Sequence, residues 1–168
     1  RAVSETHDPA SNRVTILVDL EAKRVGHGGR TDVIWGHIGH ELQTSLGVEV
    51  GGDQAAVTSW IRTWLDAHPD GELRILLDET DRFLEMEATS DEGRPALANI
   101  AAFRDLVNRS DGRLKIVLAG LHSVQRFLNL PNQPFAHLGE PIPIGPLSWV
   151  DARELVEKPM NVLGYELD

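Results

Sequence analysis

The stretch Leu73-Arg74-Ile75-Leu76-Leu77-Asp78-Glu79 decides the fold. One charge near its start gives way to an unbroken apolar run, and two adjacent carboxylates close it. Strands buried on both faces of a parallel sheet read this way, whereas half-exposed antiparallel strands alternate. Val14-Thr15-Ile16-Leu17-Val18-Asp19 and Leu114-Lys115-Ile116-Val117-Leu118-Ala119 have the same apolar, β-branched character.

Helical patterns separate these strands. Asp32 to Leu46 sets Ile34, Ile38, Leu42 and Leu46 at four-residue spacing, with Gly47 as its stop. Asp53 to Ala67 gathers Val57, Trp60, Ile61, Trp64 and Leu65 on one face before the turn His68-Pro69-Asp70-Gly71. Pro95 to Val107 opens on proline and turns Leu97, Ile100, Phe103, Leu106 and Val107 inward. Ser148-Trp149-Val150-Asp151 has capping-box spacing with Asp in the acidic place, and launches a helix to about Glu157 that Pro159 must end or kink. The order is strand, two helices, strand, helix, strand, then a short Ile142-Pro143-Ile144 extension and a last helix. This predicts an α/β fold, a mostly parallel sheet with helices on both faces, in one domain over residues 1–168. Thr89–Arg94 and the proline-rich Leu130–Pro146 read as loops.

Composition narrows the function classes. The chain has 168 residues, with 16 basic against 26 acidic side chains and a formal charge of −10. A surface that coats nucleic acid needs clustered Lys and Arg, so direct nucleic-acid binding is not expected. The absence of cysteine excludes disulfide frameworks, thiolate nucleophiles and Cys-type zinc sites. The apolar runs Ile75–Leu77 and Ile116–Ala119 fall far short of the roughly 18 residues of a membrane span, and the N-terminus lacks an apolar signal region. A cytoplasmic protein is expected. The chain opens without an initiating Met and is read as a piece of something longer.

The chemistry centres on Asp78 and Glu79. Two carboxylates at the C-terminal end of a buried strand are costly unless a cation or hydrogen-bond donors meet them, and in open α/β sheets ligands bind at that edge. There Asp78 can hold Mg²⁺ through water while Glu79 orients an attacking water. The plain alternative is that Asp78 caps the following turn and Glu79 is solvated.

These residues carry a resemblance. Leu73–Glu79 looks like the Walker B strand of P-loop ATPases of the STAND and AAA-like type, and Asp81-Arg82-Phe83-Leu84 continues it as a helix-opening D-x-F-L. Leu114–Gly120 resembles the next strand, whose end carries the sensor 1 position, here His122 or Ser123. Gly120–Phe127 fits a bacterial STAND pattern of a glycine, a short helix and an arginine, Arg126. Gly145-Pro146-Leu147-Ser148, with Glu154-Leu155-Val156 and Pro159, is similar to the segment leading into the helical lid, here 148–168. The resemblance covers roughly Val14 to the end.

It implies a partial P-loop NTPase core of the ASCE type. Its parent would bind and hydrolyse ATP with Mg²⁺ to drive conformational switching in signalling or assembly. Asp78 would be the Mg²⁺ partner, Glu79 the water-orienting base, His122 or Ser123 the sensor, and Arg126 a further catalytic candidate. The departure from the pattern is the P-loop itself, G-x-x-x-x-G-K-[ST], which the chain lacks. Gly26-His27-Gly28-Gly29-Arg30 has no lysine and reads as a flexible loop. The P-loop, its strand and its helix are expected before Arg1, and the chain alone should be inactive and hold no nucleotide. In the family that strand lies between the ones matching Leu114–Ala119 and Ile142–Ile144. Leu114–Ala119 would therefore have a free edge, and a homo-oligomer, a two-fold dimer across that edge, is expected. Other partners are ATP and the further domains of the parent.

Other residues admit plainer readings. His37, His40 and Glu41 share a helical face but lack the H-E-x-x-H order of a metal site. Trp60 and Trp64, one turn apart, suit packing better than a binding platform. The acidic stretch Glu85–Glu92 reads as solvated. Arg126 could equally sit in a local salt bridge. Two rival functions are a nucleotide-gated scaffold without turnover and a receiver-like domain using Asp19, Asp78 and Glu79 as an acidic Mg²⁺ cluster. Lys115 sits at the start of a strand rather than at the late strand end a receiver requires.

Overall fold

A computed structural model describes residues 12–89, 95–121, 124, 126 and 139–165. The elements run β1 (Arg13–Asp19), α1 (Ile34–Leu46), α2 (Gln54–Ala67), β2 (Glu72–Asp78), α3 (Asp81–Glu87), α4 (Ala98–Asn108), β3 (Leu114–Leu118) and α5 (Trp149–Val162), with a single 3-10 turn at His27–Gly29. The three strands form a parallel sheet in the order β1-β2-β3, with Ile16, Ile75 and Ile116 in one register row. This is the expected α/β class.

Local chemistry explains the element ends. Gly47, at φ 67°, ends α1 in the left-handed conformation, with its N–H on the Gln43 carbonyl. Asp53 caps α2, its carboxylate accepting from the Ala56 N–H at 2.9 Å. Ser148 Oγ accepts from the Asp151 N–H at 3.2 Å, so the capping spacing read from the sequence operates at α5. The larger differences from expectation are these. α4 starts at Ala98 rather than Pro95, because Leu97 adopts φ 58° while its N–H donates to the Glu87 carbonyl. α5 runs through Pro159 to Val162; proline removes one donor, and the Leu163 N–H still closes the last turn on the Pro159 carbonyl. Ile142–Ile144 forms no strand and both isoleucines are exposed.

The expectation of helices on both faces is corrected. Val14, Ile16, Val18, Leu73, Ile75, Leu77 and Leu114 are buried on one face in a single core with α1, α2, α3 and α4. Trp35 of α1 and Phe103 of α4 meet there at 4.9 Å between ring centroids. On the opposite face Leu17 is 39% and Val117 47% exposed. The strand order supplies the reason. Both crossovers step the same way across the sheet, and right-handed crossovers taken in one direction place every helix on one side. Gly26-His27-Gly28-Gly29-Arg30 holds the 3-10 turn, with Gly26 buried and Gly28, Gly29 and Arg30 exposed. Gly26, at φ 86°, sits so close to α3 that a Cβ would lie 3.0 Å from the Arg82 carbonyl oxygen.

Candidate functional site

The C-terminal rim of the sheet gathers the acidic residues. Asp19 ends β1, Asp78 ends β2, and the two are register partners on adjacent parallel strands. Each uses one carboxylate oxygen to hold its own turn: Asp19 Oδ1 accepts from the Ala22 N–H at 2.8 Å, and Asp78 Oδ1 from the Glu79 N–H at 3.0 Å. The turn-capping role of Asp78 therefore exists, and both Asp78 and Glu79 are exposed. Glu79 sits at φ 52°, a conformation that costs a non-glycine residue about 1–2 kcal/mol and turns the chain sharply out of the strand.

The next two residues lock this turn to β3. Thr80 is buried; its N–H and its Oγ1 both donate to the Ala119 carbonyl, each at 2.9 Å. Asp81 Oδ2 accepts from the Leu121 N–H at 2.7 Å. Between them Gly120 passes so close that a Cβ would stand 2.7 Å from Asp81 Oδ2 and 3.0 Å from Thr80 Oγ1. The exit of β3, where the sensor residue is expected, is thus tied to the acidic turn by backbone groups. His122 and Ser123 themselves lie outside the described residues. Arg126 is exposed in a helical turn beyond them.

The rim offers carboxylate oxygens from two neighbouring strand ends, Asp19 and Asp78. Exposed carboxylates on adjacent strand ends match the oxygen ligands and retained waters of Mg²⁺. A phosphate cradle is a different matter. In Gly26–Arg30, the glycine cluster nearest that role in sequence, Gly26 is held against α3, no lysine follows and no α-helix opens there, so the described residues do not fit a triphosphate.

A second polar cluster is fully buried and was not anticipated. Glu87, 1% exposed, accepts from Thr31 Oγ1 at 2.5 Å, from the Asn99 N–H at 3.0 Å and from Asn99 Nδ2 at 2.9 Å. Asn99 in turn takes the Trp35 indole N–H at 2.7 Å and donates to the Thr31 carbonyl. The network pins the loop after β1 to the end of α3 and the start of α4. Glu87 therefore departs from the reading of Glu85–Glu92 as solvated. The signal was its spacing: it falls three and four residues after the buried Leu84 and Phe83, on their face of the helix.

The remaining sequence candidates fall into packing roles. Glu41 pairs with Lys23 at 3.5 Å, and among the described residues no three His, Asp or Glu side chains cluster as a metal site. Burial holds His37 below the ordinary imidazole value, the Lys23 charge acts the same way, and Glu41 opposes both. Trp60, Trp64 and His68 stack along α2 at 6.4 and 4.5 Å, and both tryptophans flank the core. Among the described residues no helix is long and apolar enough to cross a membrane. No protein-family model, curated protein or solved structure matches the chain at a significant level.

Proposed function

We propose that this chain is the Walker B side of a STAND- or AAA-like P-loop ATPase core. The observation that carries the reading is the acidic pair Asp78-Glu79 ending the middle of three parallel strands, with the exit of the third strand tied to it through Thr80 and Asp81. Two further features agree with it. Among the described residues β3 pairs only with β2, which leaves the side where the resembled family carries its P-loop strand. The uncovered sheet face also offers a place for one more helix.

On this reading Asp78 holds Mg²⁺ through water and Glu79 orients the water that attacks the terminal phosphate. His122 or Ser123 senses that phosphate from the end of β3, and Arg126 is the further candidate contact. Bound by Asp78, magnesium would supply charge neutralisation at the phosphates. The amide cradle and its lysine must come from outside the described residues. ATP–Mg²⁺ should accordingly bind the 168-residue chain no better than about millimolar. Micromolar binding in calorimetry would overturn this.

The decisive experiment is turnover by the longer protein this reading implies. Glu79→Gln keeps the shape and removes the base, so hydrolysis should fall about 10²-fold or more while ATP binding survives. Asp78→Asn should also weaken Mg²⁺-dependent binding. Hydrolysis at the parental rate in Glu79→Gln would show the assignment to be wrong. A parent that binds ATP and never turns it over would be the nucleotide-gated scaffold instead. The pairing of Asp19 with Asp78 favours a receiver-like reading. Lys115, second residue of β3 rather than a residue at a strand's end, counts against it.

A further inference from the structure

Strand register arranges the open sheet face into rows. Thr15, Arg74 and Lys115 form one, Leu17, Leu76 and Val117 the next, and Asp19 with Asp78 the third. Arg13 and Glu72 precede them, with Arg74 on Glu72 at 2.8 Å and Arg13 on the same carboxylate at 3.8 Å. Along the strands the face therefore runs from net positive through apolar to negative. In a chain of formal charge −10, a cationic end lies beside an apolar row, Leu17 and Val117 exposed and Leu76 half-buried, that no described helix covers.

The geometry points to a second copy of the same face as the occupant of this one, docked with its strands antiparallel as a weak two-fold dimer. A two-fold axis across the apolar row sets Leu17, Leu76 and Val117 against their own counterparts. It also sets the row of Arg74 over the row of the partner's Asp78, and the reverse pair forms by symmetry. The charged rows stand four residues apart, about 13 Å, so parallel stacking would oppose like charges and antiparallel stacking opposes unlike ones. Sheets stack about 10 Å apart, within reach of Arg and Lys side chains. Three short strands give a small footprint, which places the contact in the transient class. A helix laid on this face, or Mg²⁺ at Asp78, would each compete with the second copy, so the dimer is proposed for the 168-residue chain by itself.

Sedimentation velocity on the full chain from about 10 µM to about 1 mM tests it, this being the range of weak encounters. The expected result is a concentration-dependent dimer that salt weakens. Val117→Lys and Arg74→Asp should each weaken it about tenfold or more, and the double swap Arg74→Asp with Asp78→Arg should recover most of the loss. Val156→Lys on α5 should leave it unchanged. Circular dichroism checks that each variant folds; should Val117→Lys unfold, the charge swap decides alone. A monomer throughout, a swap that recovers nothing, or a dimer abolished by Val156→Lys and indifferent to Val117→Lys would each overturn the proposal.

Discussion

The Leu121 N–H donates to Asp81 Oδ2 at 2.7 Å, across a separation of 40 residues, and Gly120 is the hinge point that lets it do so. Any side chain at 120 must push into Asp81 and the buried Thr80. Gly120→Ala is therefore expected to destabilise the fold by about 1–3 kcal/mol, the usual cost of overpacking. At about 2–4 °C per kcal/mol for a chain of this size, a thermal melt resolves the loss. An unchanged midpoint would show that the turn gives way freely.

Glu87 makes a second, larger stability prediction. Glu87→Ala removes the acceptor for Thr31 Oγ1, the Asn99 N–H and Asn99 Nδ2 together, all in a buried setting. Buried donors left unmade cost about 1–3 kcal/mol each, so a total of about 2–4 kcal/mol is expected after local relaxation. Glu87→Gln keeps one acceptor oxygen and should lose less. Urea denaturation of the two variants checks the order, and a loss below about 0.5 kcal/mol in Glu87→Ala would contradict the network's role.

These two sites show where sequence reading stops. The three strands were legible because β-branched apolar runs are distinctive, and the acidic pair because adjacent carboxylates at a strand end are conspicuous. The uncovered face was not legible. Leu17, Leu76 and Val117 are aliphatic like the buried Ile16, Ile75 and Leu77, and only strand order tells which side the helices take. The ties from Thr80 and Asp81 to β3 end on the Ala119 carbonyl and the Leu121 N–H, and main-chain groups leave no trace in residue type. Glu87 sits in an acidic run whose composition suggests solvent, while its helical spacing places it inside.

His37 gives stability a pH dependence with a definite sign. Its folded value is lowered below 6.5, first by burial and then by Lys23, so the folded state prefers the neutral ring. The unfolded chain binds the proton more readily. Stability is therefore full above pH 6.5, declines as the pH falls through the interval between the unfolded and folded values, and levels off below it. His37→Gln should flatten that slope. Denaturation midpoints measured from pH 5 to 8, the range where histidine ordinarily titrates, provide the check. An equally steep slope in the variant would assign the effect elsewhere.

α5 should behave as a unit apart from the core. None of its residues is buried; Trp149 is 81% exposed, and Leu155, Val156 and Val162 also face water. A 14-residue helix without tertiary packing is marginal in water, and Pro159 inside it costs about 3 kcal/mol more than alanine would. Its ends are better than average: Ser148 caps it, and Arg153–Glu157 and Glu154–Lys158 pair one turn apart. Such pairs add only about 0.2–0.5 kcal/mol each, too little to offset the proline. Amides of residues 155–158 and 160–162 should thus exchange far faster than those of β2, whose opening requires the sheet to come apart. Pro159→Ala should raise helical signal and slow exchange in α5 while leaving the unfolding midpoint of the core unchanged. Protection in α5 equal to that of β2 would mean that the helix is docked in solution, and its exposed apolar side would then be the first place to look for the contact.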